Sequence, residues 1–598
     1  MTDALSHTTS YTYDTSDRVA TQTDPLSQLA SHQFDKNGNL TQTTDRKSQV
    51  TNYQYDALDR PSLITFHDGS TIGYTYDAGD RVTQIVDSAN GTIARTYDGM
   101  DRVTQETTPQ GTVSYTYDGD GRRATMTVAG QTLVSYAYDN AHRLTSITQG
   151  AATVSLTYDD ANRRSTLTFP DGIVANSGYD SADRLTSLTY TRAGNTLGNL
   201  MYAYDAVGNR TSVGGSWART GLPAAVGSSS YDAGNRLTAS GGLSFSYDSN
   251  GSLASDGLTS YSWNARNQLV GLSGGTGASF LYDGVGRRRS KTVSGMTTNF
   301  LYDRLNFVQE QSTGGAVTAN LLTGLGIDET YTRTDAVSSS ALLVDGLGST
   351  LELADASGVP TTHFTFEPFG VTTASGASSA AATQFAGREN DKTGLYNYRA
   401  RYMSPGLARF ISEDPIGYAG GLNPHSYVAN NPTNATDPTG LFICKWHRFL
   451  TIGATAGTGI PLSLAESLAQ AVCDVDNGTQ GTDSSDTHRH AMGGRKPNKK
   501  YETCEQAYDG ARSLLNDLLQ NGSLADALHL IQDQWPIGHR FQRWVPIDVP
   551  ADIRHRVGDE LPGNDVLDSA AADSARLLND LLNGRSGNAD DYLHDFCR

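Results

Sequence analysis

The residues best placed to do chemistry lie near the C-terminus, in "DALHLIQDQWPIGH" (526–539) and the segment after it. His529 and Asp533 are four residues apart, and His555 and Asp559 repeat that spacing on the next predicted helix. Residues four apart project side by side from one helix face, so each pair can bind one cation. His539 follows the first pair after six residues. Imidazole and carboxylate together are a typical ligand set for zinc.

Further candidate ligands lie upstream in "DTHRHAM", which provides Asp486, His488 and His490. A single helical His-x-x-x-Asp pair is more often a surface hydrogen bond than a metal site. Two such pairs, a linking histidine and an upstream histidine cluster together favour metal binding over that simpler interpretation. The sequence therefore predicts a metal centre in this segment, with Zn²⁺ as the metal that suits the ligand types.

The elements that must position these residues are predicted to be helices. Segments such as "YETCEQAYDGARSLLNDLLQ" (501–520) have apolar residues at steps of three and four. Ser523 and Pro550 stand where the next two helices would begin, and both residue types are common there. We therefore predict a small all-α domain over residues 442–598.

The first three hundred residues follow a different pattern, a Tyr-Asp repeat with a step of 20 or 21 residues. In "YTYDAGDRVTQIVD" (74–87) the alternating tyrosines share one strand face, DAGDR supplies turn residues, and VTQIV returns as a second strand. One hairpin buries too little surface alone, so the hairpins are expected to pair edge to edge into a long sheet. The repeated Asp and the Arg four residues later are expected to bridge each turn, which makes these aspartates structural rather than catalytic.

Bulk composition restricts the remaining choices. With 598 residues the chain needs more than one core, and its formal net charge of -19 gives no electrostatic attraction to nucleic acid. It contains no apolar stretch of about 18 residues, so no stable membrane insertion is expected. The first residues show neither the basic nor the apolar region of a secretory signal. The four cysteines all follow residue 440, and either two disulfides in an oxidising compartment such as a periplasm or four buried thiols fit them.

The repeats, together with "EPFG" (367–370) and "ARFISEDPIGYAGGLNPHSYVANNPTNATDPTGL" (408–441), resemble the YD-repeat or RHS proteins. The resemblance implies a multidomain chain with an all-β spiral shell over 1–320, a core-associated plug over 321–441, and an enclosed C-terminal toxin over 442–598. It also implies secretion and delivery into a target cell, with a secretion-system component and a cognate immunity protein as partners.

The same resemblance implies a self-cleavage site. Two DPxG elements begin at Asp414 and Asp437, and the family cuts itself just after the second, which places the break between Leu441 and Phe442. Two carboxylates held close can share a proton, so that one acts as base and the other as acid, as in aspartic proteases. The simpler interpretation is that Asp-Pro and Pro-x-Gly only form turns.

One position departs from the family pattern. Relatives often have Arg immediately before the first of these aspartates, whereas this chain has Glu413. Arg409 lies four residues earlier in the sequence and is a candidate replacement. A second carboxylate beside Asp414 is expected to disfavour the charged form of that aspartate or to weaken cleavage.

The C-terminal His and Asp pattern resembles the zinc-dependent phospholipase C and S1/P1 nuclease superfamily, whose members are helical and hold three zinc ions. By this resemblance a first zinc binds His529, Asp533 and an upstream histidine, His488 or His490, with Asp533 bridging to a neighbour. A second zinc is held by His539, His555 and Asp559. An aspartate at 559 is typical of the nucleases, whereas the short gap from 539 to 555 is typical of the phospholipases.

In that superfamily a third zinc is bound partly by the mature N-terminal amine. Cleavage after Leu441 would free the amine of Phe442, with His447 five residues further on. The simpler interpretation is that residues 442–447 form an exit linker. Asp486, with Asp483 as the alternative, is the candidate base that would orient a zinc-bound water.

Three functions remain in competition. The first is an RHS toxin whose effector is a zinc-dependent phosphodiester hydrolase of the phospholipase C type, acting on phospholipid. The second keeps the delivery system but makes the effector an S1/P1-like nuclease acting on nucleic acid. The third is a non-enzymatic cell-surface repeat protein used for adhesion.

Overall fold

The computed structural model describes residues 2, 5–206, 208–421 and 423–441. Within these ranges the chain forms β-strands, turns and short 3₁₀ helices and contains no α-helix. No helix in the described part is long and apolar enough to cross a membrane. The predicted all-β character of the repeats is confirmed. The predicted all-α domain of residues 442–598 lies outside the described residues.

The first sheet has 20 strands, and each pairs antiparallel with the next along the chain. Its strands are β1 Ser10–Tyr13, β2 Val19–Thr23, β3 Leu29–Phe34, β4 Leu40–Thr44, β5 Val50–Tyr55, β6 Pro61–Thr65, β7 Thr71–Tyr76, β8 Val82–Asp87, β9 Gly91–Tyr97, β10 Val103–Thr108, β11 Gly111–Tyr117, β12 Arg123–Val128, β13 Val134–Tyr138, β14 Leu144–Gln149, β15 Ala152–Tyr158, β16 Arg164–Thr168, β17 Ile173–Tyr179, β18 Leu185–Arg192, β19 Asn195–Tyr204 and β20 Arg210–Gly214.

Three further sheets of three, 14 and four strands follow, all antiparallel. Their strands are β21 Ser230–Tyr231, β22 Leu237–Ser240 and β23 Leu243–Ser244; then β24 Ser246–Tyr247, β25 Leu253–Ser255, β26 Ser260–Trp263, β27 Leu269–Ser273, β28 Ala278–Tyr282, β29 Arg288–Val293, β30 Met296–Asp303, β31 Asn306–Gln311, β32 Val317–Thr323, β33 Thr330–Asp335, β34 Ser339–Val344, β35 Thr350–Ala354, β36 Pro360–Phe366 and β37 Thr372–Gly376; then β38 Glu389–Asn390, β39 Tyr396–Tyr398, β40 Arg401–Ser404 and β41 Arg409–Phe410. The 3₁₀ helices are Phe385–Gly387, Pro405–Leu407, Gly417–Gly420 and Val428–Asn430.

The turns that follow Tyr-Asp pairs are built around the aspartate, as Asp77 shows. Its Oδ1 accepts hydrogen bonds from the backbone N–H groups of Gly79 at 2.8 Å and Arg81 at 3.1 Å. Its backbone N–H donates to the Arg81 carbonyl at 3.0 Å, which closes the loop. Asp80 adopts a left-handed φ of 65°, a conformation that Asp, Asn and Gly tolerate best. The carboxylate therefore substitutes for a backbone turn, as the repeat pattern predicts.

In most of these turns the last residue is an arginine, which also joins neighbouring hairpins. Arg81 Nε donates to Asp77 Oδ2 at 2.6 Å, and its Nη1 lies 2.7 Å from Asp101 Oδ1 in the next Tyr-Asp unit. Its guanidinium also lies 4.9 Å from the centroid of the Tyr97 ring. The predicted Asp–Arg bridge is confirmed, and the stacking couples each unit to the following one. The same stacking occurs in the pairs Arg18–Phe34, Arg60–Tyr76, Arg102–Tyr117, Arg122–Tyr138, Arg143–Tyr158, Arg163–Tyr179 and Arg184–Tyr204.

The core forms where the first sheet packs against the second long sheet. Buried residues from β11 onward, such as Val113 and Ile147, belong to one cluster with Val308 and Leu343. Polar contacts connect the same two sheets, because Arg123 binds Asp303 through Nη1 at 2.5 Å and Nη2 at 3.0 Å. The strands thus enclose a shared interior, which alternating apolar residues require.

The plug packs into that core through aromatic residues. Tyr398, Phe410 and Tyr427 contact one another with ring centroids 5.2 to 5.9 Å apart, and Phe385 lies 6.3 Å from Tyr427. Pairing in the second long sheet continues beyond residue 320 as far as Gly376. The predicted boundary between residues 320 and 321 therefore falls within β32 and coincides with no break in the sheet.

Candidate functional site

Two aspartates of the plug occupy turns that follow strands of the small sheet. Asp414 Oδ1 accepts the Ile416 N–H at 3.1 Å. Asp437 Oδ1 accepts the N–H groups of Gly440 at 2.8 Å and Leu441 at 2.9 Å. Both DPxG elements therefore do form turns, as their simpler interpretation predicts, and each carboxylate is fixed by its own loop.

The two loops bring both carboxylates to one guanidinium. Arg401 Nη2 lies 2.8 Å from Asp414 Oδ2 and 3.3 Å from Asp437 Oδ2. The remaining donors of Arg401 go to backbone oxygens: Nη1 to Pro424 at 3.0 Å and Nε to Gly440. All three charged side chains are only 1% exposed. Two aspartates 23 residues apart in sequence thus share one partner in a buried site.

Two carboxylates face one guanidinium here, so a single proton shared between the aspartates would make these three groups neutral overall. Burial lowers the pKa of Arg401, and the two carboxylates oppose that effect. The Phe410 ring covers the guanidinium with its centroid 3.6 Å from the central carbon. Because water is excluded, interactions between these charges are stronger than at the surface.

The segment that ends at Leu441 is held against strands of the small sheet. The Ala400 N–H donates to the Thr439 carbonyl at 3.1 Å. Gly440 has a φ of 77°, and a Cβ there would lie 2.3 Å from the Tyr398 carbonyl oxygen. Only glycine fits such a close approach of two backbones. Leu441 is 5% exposed, so the last described residue before the predicted break is buried beside the carboxylates.

A second ion cluster also contacts this segment. Asp328 Oδ1 lies 2.6 Å from Arg399 Nη2, and the same carboxylate also pairs with Arg388. Arg399 Nη1 donates to the Pro438 carbonyl, directly after Asp437. Burial opposes ionisation of Asp328, but the two guanidinium groups outweigh it and lower its pKa. The cluster therefore fixes the backbone that carries Asp437.

The residues flanking Asp414 are not arranged as the sequence suggested. Arg409 contacts the Asn235 carbonyl at 2.9 Å, so the hypothesis that it serves Asp414 is wrong, and Arg401 supplies that contact. Glu413 pairs with Arg46 at 2.5 Å, whereas Asp414 pairs with Arg401. Proximity in sequence misled here because the partner of Asp414 comes from β40, 13 residues earlier in the chain.

Sequence reasoning also missed His425, one residue after the carbonyl that binds Arg401. The ring is buried, and within the described residues neither nitrogen has a hydrogen-bond partner. Its centroid lies 5.8 Å from that of the Tyr247 ring, edge to face. Burial, with Arg409 and Arg401 adding to it, lowers the pKa of His425 well below its usual value. The ring therefore occupies the plug as a neutral group.

The predicted zinc ligands lie outside the described residues, as do the far side of the predicted break and the candidate base. Between residues 2 and 441 the described part contains no group of three or more His, Cys, Asp or Glu side chains that could hold a metal. The residues outside are Phe442, His447, Asp486, His488, His490, His529, Asp533, His539, His555 and Asp559.

The repeats and the plug match a known family along most of their length. The model described as Teneurin YD-shell matches residues 71–194 and 179–420, which together are more than half of the chain. The chain belongs to the teneurin YD-shell family. A second model, RHS Repeat, matches residues 34–66. The resemblance to the YD-repeat or RHS proteins is therefore confirmed for this YD-shell.

Curated relatives of the YD-shell include toxins. Toxin protein Tse5 of Pseudomonas aeruginosa is 38% identical over 100 residues, which cover 17% of this chain and 8% of that protein. Probable deoxyribonuclease RhsB of Dickeya dadantii is 42% identical over 67 residues, which cover 11% of this chain and 5% of that protein. The matched part thus spans less than a tenth of either relative.

A solved structure shares the YD-shell fold. The crystal structure of TcdB2-TccC3 superposes with a TM-score of 0.58 at 18% identity, covering 72% of this chain and 29% of that one. The likeness confirms an antiparallel β shell, and at this identity it concerns the fold alone.

Proposed function

We propose that this YD-shell carries a C-terminal effector, residues 442–598, and that the chain cuts itself after Leu441 to release it. The observation that supports this most directly is the convergence of Asp414 and Asp437 on Arg401. Asp437 also accepts the N–H of Leu441, so one carboxylate already touches the residue that contributes the scissile carbonyl.

The proposed reaction is hydrolysis by an aspartate pair. With one proton shared between them, one carboxylate accepts a proton from water as it adds to the Leu441 carbonyl. The other gives its proton to the nitrogen of Phe442, the carbon–nitrogen bond breaks, and a carboxylate and an amine result. Arg401 limits the charge that accumulates in the buried site, and backbone hydrogen bonds hold the segment in place.

The test compares the full chain with two substitutions. Expressed wild type should yield two fragments on a denaturing gel, with intact masses that place the break after residue 441. Asp414→Asn and Asp437→Asn should each slow the cut by at least about 100-fold, because each removes a proton-transfer group. Asp56→Asn, in a repeat turn, is the matched control and should be cut as wild type. An uncut wild-type chain, or a break elsewhere, contradicts the proposal.

For the effector we propose a zinc-dependent phosphodiester hydrolase of the phospholipase C type. Its support is the spacing of His529, Asp533, His539, His555 and Asp559, together with a YD-shell whose relatives include toxins. Clustered zinc ions lower the pKa of bound water and neutralise a phosphodiester. The cleaved full chain with zinc should release headgroups from phosphatidylcholine vesicles, and His529→Ala should abolish release. Inert wild type rejects the activity.

Processing provides a separate test of the metal centre. In this proposal the freed amine of Phe442 binds a third zinc together with His447. Zinc content, measured by mass spectrometry on folded protein, should then be higher in cleaved wild type than in uncut Asp437→Asn. Equal zinc in both preparations rejects the amine as a ligand.

Delivery and partners complete the proposal. The YD-shell would depend on a secretion-system component for transport into the target cell, with the periplasm as the site of action, and on an immunity protein for protection of the producer. A nuclease effector is the second candidate, because one relative is described as a probable deoxyribonuclease. Incubating the same preparations with plasmid DNA separates the two activities.

A further inference from the structure

One ion pair joins the residue before Asp414 to a hairpin turn that is distant in sequence. Arg46, between β4 and β5, donates from Nη2 to Glu413 Oε2 at 2.5 Å and from Nη1 to Glu413 Oε1 at 3.2 Å. A bidentate arginine–carboxylate pair fixes orientation as well as distance. The two residues are 367 positions apart. The contact therefore forms only when the N-terminal hairpins lie against the plug.

Arg46 is itself held at a junction of three parts of the chain. Its Nη1 lies 3.0 Å from Asp24 Oδ2 in the turn between β2 and β3. Its Nη2 also donates to the Asn250 carbonyl at 2.7 Å, in the turn between β24 and β25. Asn250 returns a bond from Nδ2 to Asp45 Oδ2 at 2.7 Å. The first sheet, the second long sheet and the plug thus meet at one guanidinium.

The Glu413 carboxylate has little freedom to move elsewhere. A Cβ placed on Gly251 would lie 2.1 Å from Glu413 Oε1, so the carboxylate packs directly on that backbone. Burial raises the pKa of Glu413, and Arg46 opposes that shift. Without its partner, the carboxylate would be a buried charge that must shift its position or take up a proton.

Glu413 is joined directly to the proposed catalytic group. Asp414 is the next residue, and its N–H donates to the Pro424 carbonyl at 3.0 Å. The same Pro424 carbonyl accepts Arg401 Nη1. The backbone at 413 and 414 therefore sets the position of the carboxylate relative to Arg401.

We propose that Arg46 is a positioning residue for self-cleavage, and that the chain cuts itself only after its N-terminal hairpins have closed on the plug. This inference rests on the proposed cut after Leu441. Arg46 lies far from the peptide to be broken and acts through Glu413. Such coupling gives an order of events in which the shell closes first and the effector is freed from its covalent link afterwards.

The experiment follows the full chain during cell-free translation and measures the cut fraction over time on denaturing gels. Arg46→Gln should slow the cut by about tenfold or more, because small misplacements of reacting groups have effects of that size. Adding Glu413→Gln to Arg46→Gln removes the uncompensated charge next to Asp414, while Asp24 lacks its arginine in both variants, and should restore most of the rate. Arg46→Lys keeps the charge but loses the bidentate geometry, and should lie between wild type and Arg46→Gln.

The matched control is Arg60→Gln, which breaks pairs with Asp56 at 2.5 Å and Asp80 at 2.6 Å within the first sheet. It should be cut at the wild-type rate. Resistance to added protease reports folding, and if Arg46→Gln folds poorly, the double variant and Arg46→Lys decide. Wild-type rates in Arg46→Gln, or no recovery in a folded double variant, overturn this inference alone. A wild-type chain that stays uncut overturns the proposed self-cleavage and this inference with it.

Discussion

Aspartate–arginine pairs occur in two settings, the repeat turns of the first sheet and the plug, and the difference lies in burial. In the turns the side chains keep contact with solvent: Arg60 and Asp56 are 20% and 26% exposed. In the plug, Arg401 and Asp437 are each 1% exposed. An exposed pair contributes about 0 to 1 kcal/mol to stability. The turn pairs therefore stabilise the sheet through their number rather than individually. A buried pair has lost its hydration, and breaking it costs far more than forming it gained.

One repeat turn combines features of both settings. Arg287 pairs with Asp283 four residues earlier, as Arg60 does with Asp56, but the two side chains are 7% and 6% exposed. Arg287 Nη1 also lies 2.8 Å from Glu106 Oε1 in the first sheet. Burial opposes ionisation of Glu106, yet Arg287 and Arg95 lower its pKa to about 2. The same short motif is therefore a local turn in one place and a link between sheets in another.

The largest expected effect comes from removing the shared guanidinium of the plug. Arg401→Met leaves Asp414 and Asp437 buried without a counter-charge and should lower the free energy of unfolding by about 5 kcal/mol. Self-cleavage should be lost as well. Chemical denaturation of an uncut background, Asp437→Asn, with and without Arg401→Met, measures the part of this loss that comes from leaving Asp414 unpaired, which should be about 3 kcal/mol.

The control removes the charges instead of the partner. In a chain that carries both Asp414→Asn and Asp437→Asn, Arg401→Met should cost less than half as much, because no buried carboxylate remains unpaired. Equal losses in the two backgrounds would show that the packing of Arg401 on Phe410, rather than its charge, stabilises the plug.

The next effect tests whether burial, rather than the motif, decides the strength of a repeat turn. Arg287→Ala should lower the free energy of unfolding by about 3 kcal/mol, because Glu106 and Asp283 stay buried after losing this guanidinium. The loss should hardly change in 1 M salt, because buried charges are poorly screened. A loss of stability as small as that of an exposed turn would show that burial does not strengthen the pair.

A further effect appears only on the acidic side of neutrality. His425 is neutral in the folded plug, and burial lowers its pKa, so the unfolded chain takes up a proton first as pH falls below about 6.5. Folding stability contributed by this site is therefore complete above that pH and is lost below it. His425→Phe should remove this part of the pH dependence. His142→Gln, whose imidazole is 64% exposed, is the control and should leave the unfolding profile unchanged.

The features that the sequence predicted correctly are those that depend on residues close together along the chain. The turn at Asp77 is specified within five residues, and each DPxG aspartate can be recognised from its own motif. Arg401 could not be found in this way, because the strand order of the small sheet brings it to partners 13 and 36 residues away. The pair of Arg46 with Glu413 requires three parts of the chain to meet, and no local pattern records that.

The smallest expected effect belongs to an exposed repeat turn. Arg60 binds Asp56 and Asp80 and lies 4.3 Å from the Tyr76 ring centroid. Arg60→Ala should cost about 1 kcal/mol, combining a weak ion pair with a cation–π contact. In 1 M salt the ion-pair part should vanish and the stacking part remain, so the loss should shrink without disappearing. If the loss of stability approached that of Arg287→Ala, or did not change with salt, exposed turns would contribute as much to stability as buried ones. The contrast based on burial would then be wrong.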